Sequence, residues 1–383
     1  MEYVRLKDVT LSTQYGFTAS ETSKTEGKYK YLRITDIVPY FVNYEIVPFC
    51  NIHEKQVPKY LVNAGDILIA RTGATTGYNY VVPEGIADTV YASYLIRFVV
   101  NKEKCLPTFL KYVLKSKAYY GFVNNYIGGS AQPGMNAKVF GKFCIPNMPI
   151  DTQHRIASIL SAYDSLIENN TKRIRLLEKM AENLYKEWFV RFRFPGYEKA
   201  EMENGLPKGW KHGSLSDICE FKRGKNITAS EMIAGNVPVI SAGIEPSGFH
   251  NKANVNGVSI TMSSSGANAG YIAIHYSDIW AADCSFINET MTSYICYVYE
   301  LLNNIRGVIT NFQRGAAQPH VYPKDINRIK LIIPSECLRA LADERLSVIH
   351  KQIDNLAKQN SLLARRRDLL LPRLMSGKLE VKP

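Results

Sequence analysis

Long apolar runs are missing from this 383-residue chain: none approaches the ~20 residues that a membrane-spanning helix needs. The opening decapeptide, MEYVRLKDVT, lacks the apolar core of a secretory leader. Seven cysteines (Cys50, Cys105, Cys144, Cys219, Cys284, Cys296, Cys337) are scattered, odd in number and never spaced CxxC. That pattern argues against a zinc site or a disulfide framework and favours a reducing cytoplasm. Most are expected to serve as small core hydrophobes. There is no GxxxxGK[ST] to cradle a triphosphate, no GxGxxG after a strand, and no NPP[YF]-type tetrapeptide of the kind amino-methyltransferases use. HExxH, clustered His/Cys spacing and a GxSxG elbow are also missing, and no Asp/Glu set is arranged as a nuclease metal site. The seven histidines are dispersed, and most are expected at the surface. These absences weigh most heavily against ATPase or methyltransferase chemistry in this chain.

What is present is positive charge. The formal net charge is +12, although the hydrophobic content of 46% and charged content of 21% are those of an ordinary globular protein. Such a balance favours a polyanionic partner: nucleic acid first, an acidic membrane surface or acidic protein after it. The length suits two or three domains with proper cores.

The chain also repeats itself. "GSAQPGMNAK" (Gly129 to Lys138) returns as "GAAQPHVYPK" (Gly315 to Lys324), and Ile145-Pro146 returns as Ile333-Pro334. Upstream, "GDILIARTGATTGY" resembles "GVSITMSSSGANAGY", and Leu6-Lys7-Asp8-Val9 corresponds to Leu215-Ser216-Asp217-Ile218. Four matches in one order make a duplication. Each copy opens with short β-branched runs, "GDILIA", "VSITM", "YASYLIRFVV" and "TSYICYVYE", which read as strands. A helical piece follows, residues 107–126 in one copy and 299–312 in the other.

Each copy closes on a long helix with an apolar seam at heptad spacing. In the first, Ile156, Tyr163, Asn170, Leu177 and Leu184 form one row, and Leu160, Ile167, Ile174, Ala181 and Trp188 the other. Adding 186 to the first row gives Ala342, Ile349, Leu356, Leu363 and Leu370 in the second helix, beside Leu346, Ile353, Asn360 and Arg367. Seams this long predict two helices paired with each other, antiparallel within one chain, with Asn170 and Asn360 fixing register. Asp151 or Thr152 is the expected N-cap of the first helix. It should end near Phe192–Pro195, and the second should break at Pro372. The fold expected is α+β: two strand-rich domains, 1–150 and 210–335, separated by an intramolecular coiled coil of helices 151–194 and 336–383, with a linker at 195–209 and a pseudo-twofold repeat.

Small polar loops at the strand ends are candidates for phosphate or base-edge contact, because Gly permits close approach and hydroxyls and amides can donate. They supply Arg71, Thr72, Thr75, Thr76 and Tyr78 in the first copy and Ser263, Ser264, Ser265, Asn268 and Tyr271 in the second. The Gln-Pro loops add Gln132 and Lys138, then Gln318, His320 and Lys324. Lys222, Arg223 and Lys225 form a basic cluster, and Lys111, Lys115 and Lys117 another. Arg365-Arg366-Arg367 reads either as a solvated face or as a protein contact.

These motifs, with the helix "QHRIASILSAYDSLIENNTKRIRLLEKMAENLYKEWFVRF" and the closing "LLPRLMSGKLEV", resemble the DNA-specificity (S) subunit of type I restriction–modification systems over essentially the whole chain. The resemblance implies two target recognition domains, each reading half of a bipartite, asymmetric double-stranded DNA site, with paired helices as the ruler. It implies no catalytic or metal site in this chain. S-adenosylmethionine would belong to partner methyltransferase (M) subunits, two of them, and ATP and Mg to restriction/translocase (R) subunits. One departure stands out: "SSSG" in the second copy has no arginine to match Arg71. Two other readings stay open, a basic scaffold without sequence preference and a nuclease or modification enzyme with an unrecognised site.

Overall fold

In a computed structural model of the chain, the described residues are 2–24, 26–39, 41–127, 134–315 and 319–379. They form two compact units, Met1–Asn169 with Gln359–Pro383, and Asn170–Lys358. The two long helices, Ile150–Tyr185 and Glu336–Met375, each contribute one part to either unit.

In the first unit a four-stranded antiparallel sheet runs in the order Thr10–Tyr15, Leu95–Val100, Ile67–Ala70, Asn79–Val81. A three-stranded sheet, Phe49–Cys50, Tyr29–Leu32, Thr89–Tyr91, contains one parallel pair. Strand Tyr3–Arg5 closes on Cys144–Pro146. The period-2 geometry of Ile67–Ala70 lets it serve two cores. Ile67 and Ile69 pack with Phe109, Leu110 and the helix residues Ile156 and Leu160. Leu68 and Ala70 pack on the opposite face with Leu32 and Tyr91.

The second unit repeats this topology. Its four-stranded sheet is Lys222–Arg223, Cys284–Asn288, Ser259–Ser263, Ile272–His275. The three-stranded sheet is Gly248–His250, Val237–Ile240, Trp280–Ala281, again with one parallel pair, and Lys211–Ser214 closes on Lys330–Ile333. One expected strand is a helix: "TSYICYVYE" enters Ile295–Asn304, whose buried side includes Ile295, Tyr297, Val298, Leu301 and Leu302. Packing of an amphipathic face overrides its β-branched and aromatic propensity.

Every seam residue named from the sequence is buried or half-buried. In the first unit Ile156, Leu160 and Ile167 are buried and Tyr163, Leu363 and Leu370 half-buried. The pairing is antiparallel: Ile156 and Leu160 share a core with Leu371 and Leu374, and Asn360 Nδ2 donates to the Ile167 carbonyl at 3.4 Å. In the second unit Asn170, Leu346, Ile353 and Leu356 are buried, and Ile174, Leu177, Leu184 and Ile349 half-buried. There Ala181 and Tyr185 pack with Ala342 and Leu346.

The helix ends differ from expectation. The first helix begins at Ile150, so Asp151 and Thr152 lie inside its first turn, where Asp151 opposes the positive end of the helix dipole. The α-helix stops at Tyr185, continues as a π-turn over Lys186–Val190, and leaves through Phe192 at φ 58°. The second helix runs through Pro372 to Met375: the proline forfeits one backbone donor, and burial of Leu374 and Met375 in the first unit's core holds the last turn in place.

Buried polar groups were the part of the interior least visible beforehand. Asp164 accepts from Lys111 Nζ at 2.6 Å, Tyr112 OH at 2.8 Å and Arg367 Nη1 at 2.8 Å. Arg367 is therefore internal while Arg365 and Arg366 are exposed, and Lys111 is a structural cation. In the second unit His350 Nε2 lies 3.1 Å from Glu300 Oε1, and its Nδ1 lies 2.8 Å from Tyr276 OH. His250 and His350 are buried, and desolvation takes His275 down to about 4, so the expectation of mostly surface histidines fails. Only His53, His154 and His212 are exposed.

Candidate nucleic-acid interface

Each four-stranded sheet ends in a glycine-bearing loop, and the two loops are built by the same hydrogen bonds. In the first unit Ala70 N donates to Tyr78 O, Gly77 N to Ala70 O, Thr76 N to Gly73 O and Tyr78 N to Thr75 O. In the second Ser263 N donates to Tyr271 O, Gly270 N to Ser263 O, Ala269 N to Gly266 O and Tyr271 N to Asn268 O. All four bonds shift by 193 residues. Both glycine pairs take positive φ, Gly73 and Gly77 at 76° and 90°, Gly266 and Gly270 at 75° and 83°. At Gly77 and Gly270 the helical piece presses on the turn: an added Cβ would meet Val123 at 2.9 Å in one unit and Ile309 at 3.2 Å in the other.

The end of the Gln-Pro segment lies against the same loop in each unit. Met135 N donates to Arg71 O at 2.8 Å, and Val321 N to Ser264 O at 3.0 Å. Two short helices follow, Ala137–Phe140 and Pro323–Ile326, and each presents one exposed lysine, Lys138 or Lys324. Gln132 and Gln318 lie outside the described residues. His320 is half-buried, and its main chain pairs in both directions with Arg314.

Side chains separate the two loops. Arg71 lays its guanidinium over the Tyr15 ring, 5.1 Å from the centroid, with Nε buried and unpaired. Tyr15 OH also accepts from Ala137 N at 3.3 Å, tying the loop to the Lys138 segment. In the second unit Ser264 takes the place of Arg71. The arginine reappears two strands away, on the edge strand Lys222–Arg223: Arg223 precedes Gly224 as Tyr15 precedes Gly16, and both glycines pack on backbone carbonyls of the adjoining sheet. Arg223 pairs with Asp283 Oδ1 at 2.5 Å, whose other oxygen accepts from Ser265 Oγ at 2.7 Å. A guanidinium is thus brought beside "SSSG" from a different strand, already paired with a carboxylate.

Several candidates are corrected by burial. Thr76 Oγ1 turns inward to the Gly73 carbonyl at 2.7 Å, Ser263 Oγ to the Ala242 carbonyl at 2.8 Å, and Ser264 is wholly buried. Ser265 is buried against Asp283. These four hydroxyls shape the loops and do not face solvent. Thr72, Thr75, Asn268 and Tyr271 are half-buried, while Tyr78, Lys222, Arg223 and Lys225 are exposed. Lys115 is half-buried, and desolvation lowers it to about 8, which makes it a poor phosphate anchor. The sequence reading missed Tyr15, Asp283 and Arg306, whose guanidinium sits 5.3 Å over the Tyr271 ring. A tyrosine or arginine on an unremarkable strand carries no motif, so only the fold reveals its place.

The comparisons with known proteins agree with this duplicated build. The family model described as "Type I restriction modification DNA specificity domain" matches residues 1–179 and again 207–362. The chain belongs to that family. Among similar type I specificity subunits, the type I restriction enzyme MjaIX specificity subunit of Methanocaldococcus jannaschii is 28% identical over 315 residues, covering 75% of this chain and 72% of its own. The putative MjaX specificity subunit of the same organism is 24% identical over 100% of this chain and 94% of its own. The crystal structure of the type I S subunit from M. genitalium superimposes with a TM-score of 0.60 at 19% identity, over 97% of this chain and 95% of that one, and shows a shared fold. Specificity subunits are non-catalytic components, and the glycine-loop surfaces lie within the two matched segments.

Proposed function

We propose that the chain reads a bipartite, asymmetric DNA sequence, one half-site per recognition domain, and docks the M and R subunits that carry the chemistry. One observation carries the reading: the same loop scaffold is built twice with different side chains on it. A scaffold repeated with unlike faces suits two different half-sites. In the first unit the readers are Arg71, Thr72, Thr75, Tyr78 and Lys138. In the second they are Lys222, Arg223, Lys225, Asn268, Tyr271, His320 and Lys324, with Gln132 and Gln318 adjoining by sequence. The net charge of +12 supports phosphate contact, and the arginines are the side chains best suited to guanine edges. The recognition domains are residues 1–150 and 210–335, the paired helices 151–194 and 336–383 set the half-site gap, and the protein works in a prokaryotic cytoplasm. S-adenosylmethionine, ATP and Mg act in the partner subunits, of which two are M.

Co-expression with a type I methyltransferase subunit, followed by genome-wide mapping of methylated adenines, tests this. The expected product is one split motif with a fixed gap. A contiguous motif contradicts two readers, methylation without the partner makes the chain an enzyme, and partner-dependent methylation without a motif makes it a non-specific scaffold.

A further inference from the structure

The duplication poses a problem that the two-reader scheme does not address. Two helices with nearly the same seam could each pair with a second copy of itself, in another chain, as readily as with each other. The buried polar groups differ at just the positions where that choice is made.

An offset of 186 residues places Asp164 of the first helix over His350 of the second, and Ala181 of the first over Arg367 of the second. Asp164 meets Arg367 at 2.8 Å in the first unit. At the matching place in the second unit His350 is bonded to Glu300 and Tyr276, and Ala181, fully buried, fills the position equivalent to Arg367. The polarity of the neighbouring bonds reverses as well. In the first unit the carboxylate sits on the long helix and Lys111 and Tyr112 come from the short helix Pro107–Val113. In the second the imidazole sits on the long helix and the carboxylate, Glu300, comes from the short helix Ile295–Asn304.

We infer that the Asp164–Arg367 pair, set against the Ala181–His350 pair, selects the helix partner, so that a first-copy helix joins a second-copy helix and two second-copy helices are kept from joining. In a pairing of two second-copy helices each Arg367 falls where Ala181 belongs, beside a His350 already bonded to its own Glu300. A long cation is then forced into the space of a methyl group, keeping only the exposed Asp368 of its own helix, 2.8 Å away, and meeting no carboxylate on the facing helix. In a pairing of two first-copy helices Asp164 keeps Lys111 and Tyr112 and faces only alanine, so the exclusion is weaker on that side.

The test cuts the folded full chain at a protease site placed in the exposed residues 201–205, leaving the two copies held by their own contacts. Two cut preparations with different tags on the second copy are mixed, exchanged in mild urea and captured by one tag. Wild type should return first-copy fragments and almost none of the other-tagged second-copy fragment. Arg367→Ala makes position 367 resemble Ala181 and should raise capture of second-copy by second-copy at least roughly tenfold. Asp164→Asn loosens the native pair yet leaves Arg367 in place, so it should lower first-copy capture without creating second-copy pairs. Free second-copy pairing in wild type, or equal behaviour of the two variants, overturns the inference. Should Arg367→Ala fail to fold, Arg367→Met, which removes the charge and keeps the bulk of the stem, gives the same reading at smaller amplitude.

Discussion

Gly73 and Gly77 share a loop and a sign of φ, yet alanine should be tolerated very differently at the two. At Gly73, φ 76°, an added Cβ has nothing within 4 Å, so the cost is the left-handed backbone alone, about 1–2 kcal/mol. At Gly77, φ 90°, the same backbone cost applies, and the Cβ also meets both Val123 methyl groups at 2.9 Å. Overpacking against a buried side chain adds about 1–3 kcal/mol, giving roughly 2–5 kcal/mol in all. Val123 itself is 1% exposed on the helix Lys117–Ile127, so it has little room to move aside. Urea unfolding of Gly73→Ala and Gly77→Ala, followed by the near-UV signal, should separate them by at least about 1 kcal/mol. A Gly77→Ala, Val123→Ala double variant should recover part of the difference by opening space. Equal midpoints for the two single variants would refute the claim that the helix Lys117–Ile127 clamps this loop.

Two further expectations come from burial. Five cysteines are buried, with the thiols of Cys105, Cys219, Cys284 and Cys296 pushed up to about 12 and Cys50 to about 11 by desolvation, while Cys144 and Cys337 are exposed. Native thiol titration should therefore show two fast groups and release the other five only on unfolding; a third fast group would mean that a core opens. His275, held neutral by desolvation with a pKa near 4, protonates in the unfolded chain near 6.5. The unfolded state thus binds the extra proton between those values, and stability should fall as pH drops from about 6.5 toward 4, by at most about 3 kcal/mol. His275→Gln, which can keep a bond to Thr261 Oγ1, should flatten that part of the profile, and an unchanged slope would assign the loss to other groups.

The duplication and the helix seam were legible because they are periodic: a repeat needs only order, and a heptad only spacing. Gly77 and Gly270 were legible as turn residues. What the sequence hid was anything set by two distant segments meeting. "TSYICYVYE" reads as a strand until the surface that buries it is known. Lys111 reads as part of a phosphate-binding cluster, and Arg367 as a seam position that could equally be a solvated face, until Asp164, far from both in sequence, is found between them. Ser263, Ser264 and Thr76 look like donors for DNA, yet tight turns turn small hydroxyls inward. The relocation of arginine from position 71 to position 223 is likewise invisible until the strands Thr10–Tyr15 and Lys222–Arg223 are seen to hold the same place in their sheets.

Removing residues 167–173 together with 354–360 takes one matched heptad from each helix, Asn170 and Asn360 included, and leaves register to the Asp164–Arg367 level on one side and the Ala181–His350 level on the other. Each helix shortens by ~10 Å, or roughly 3 bp of duplex. Adenine-methylation mapping of this variant, co-expressed with the methyltransferase subunit, should return both original half-sites with the gap shortened by about 3 bp. The same half-sites at the original gap, or half-sites that themselves change, would contradict a helical spacer carrying two independent readers.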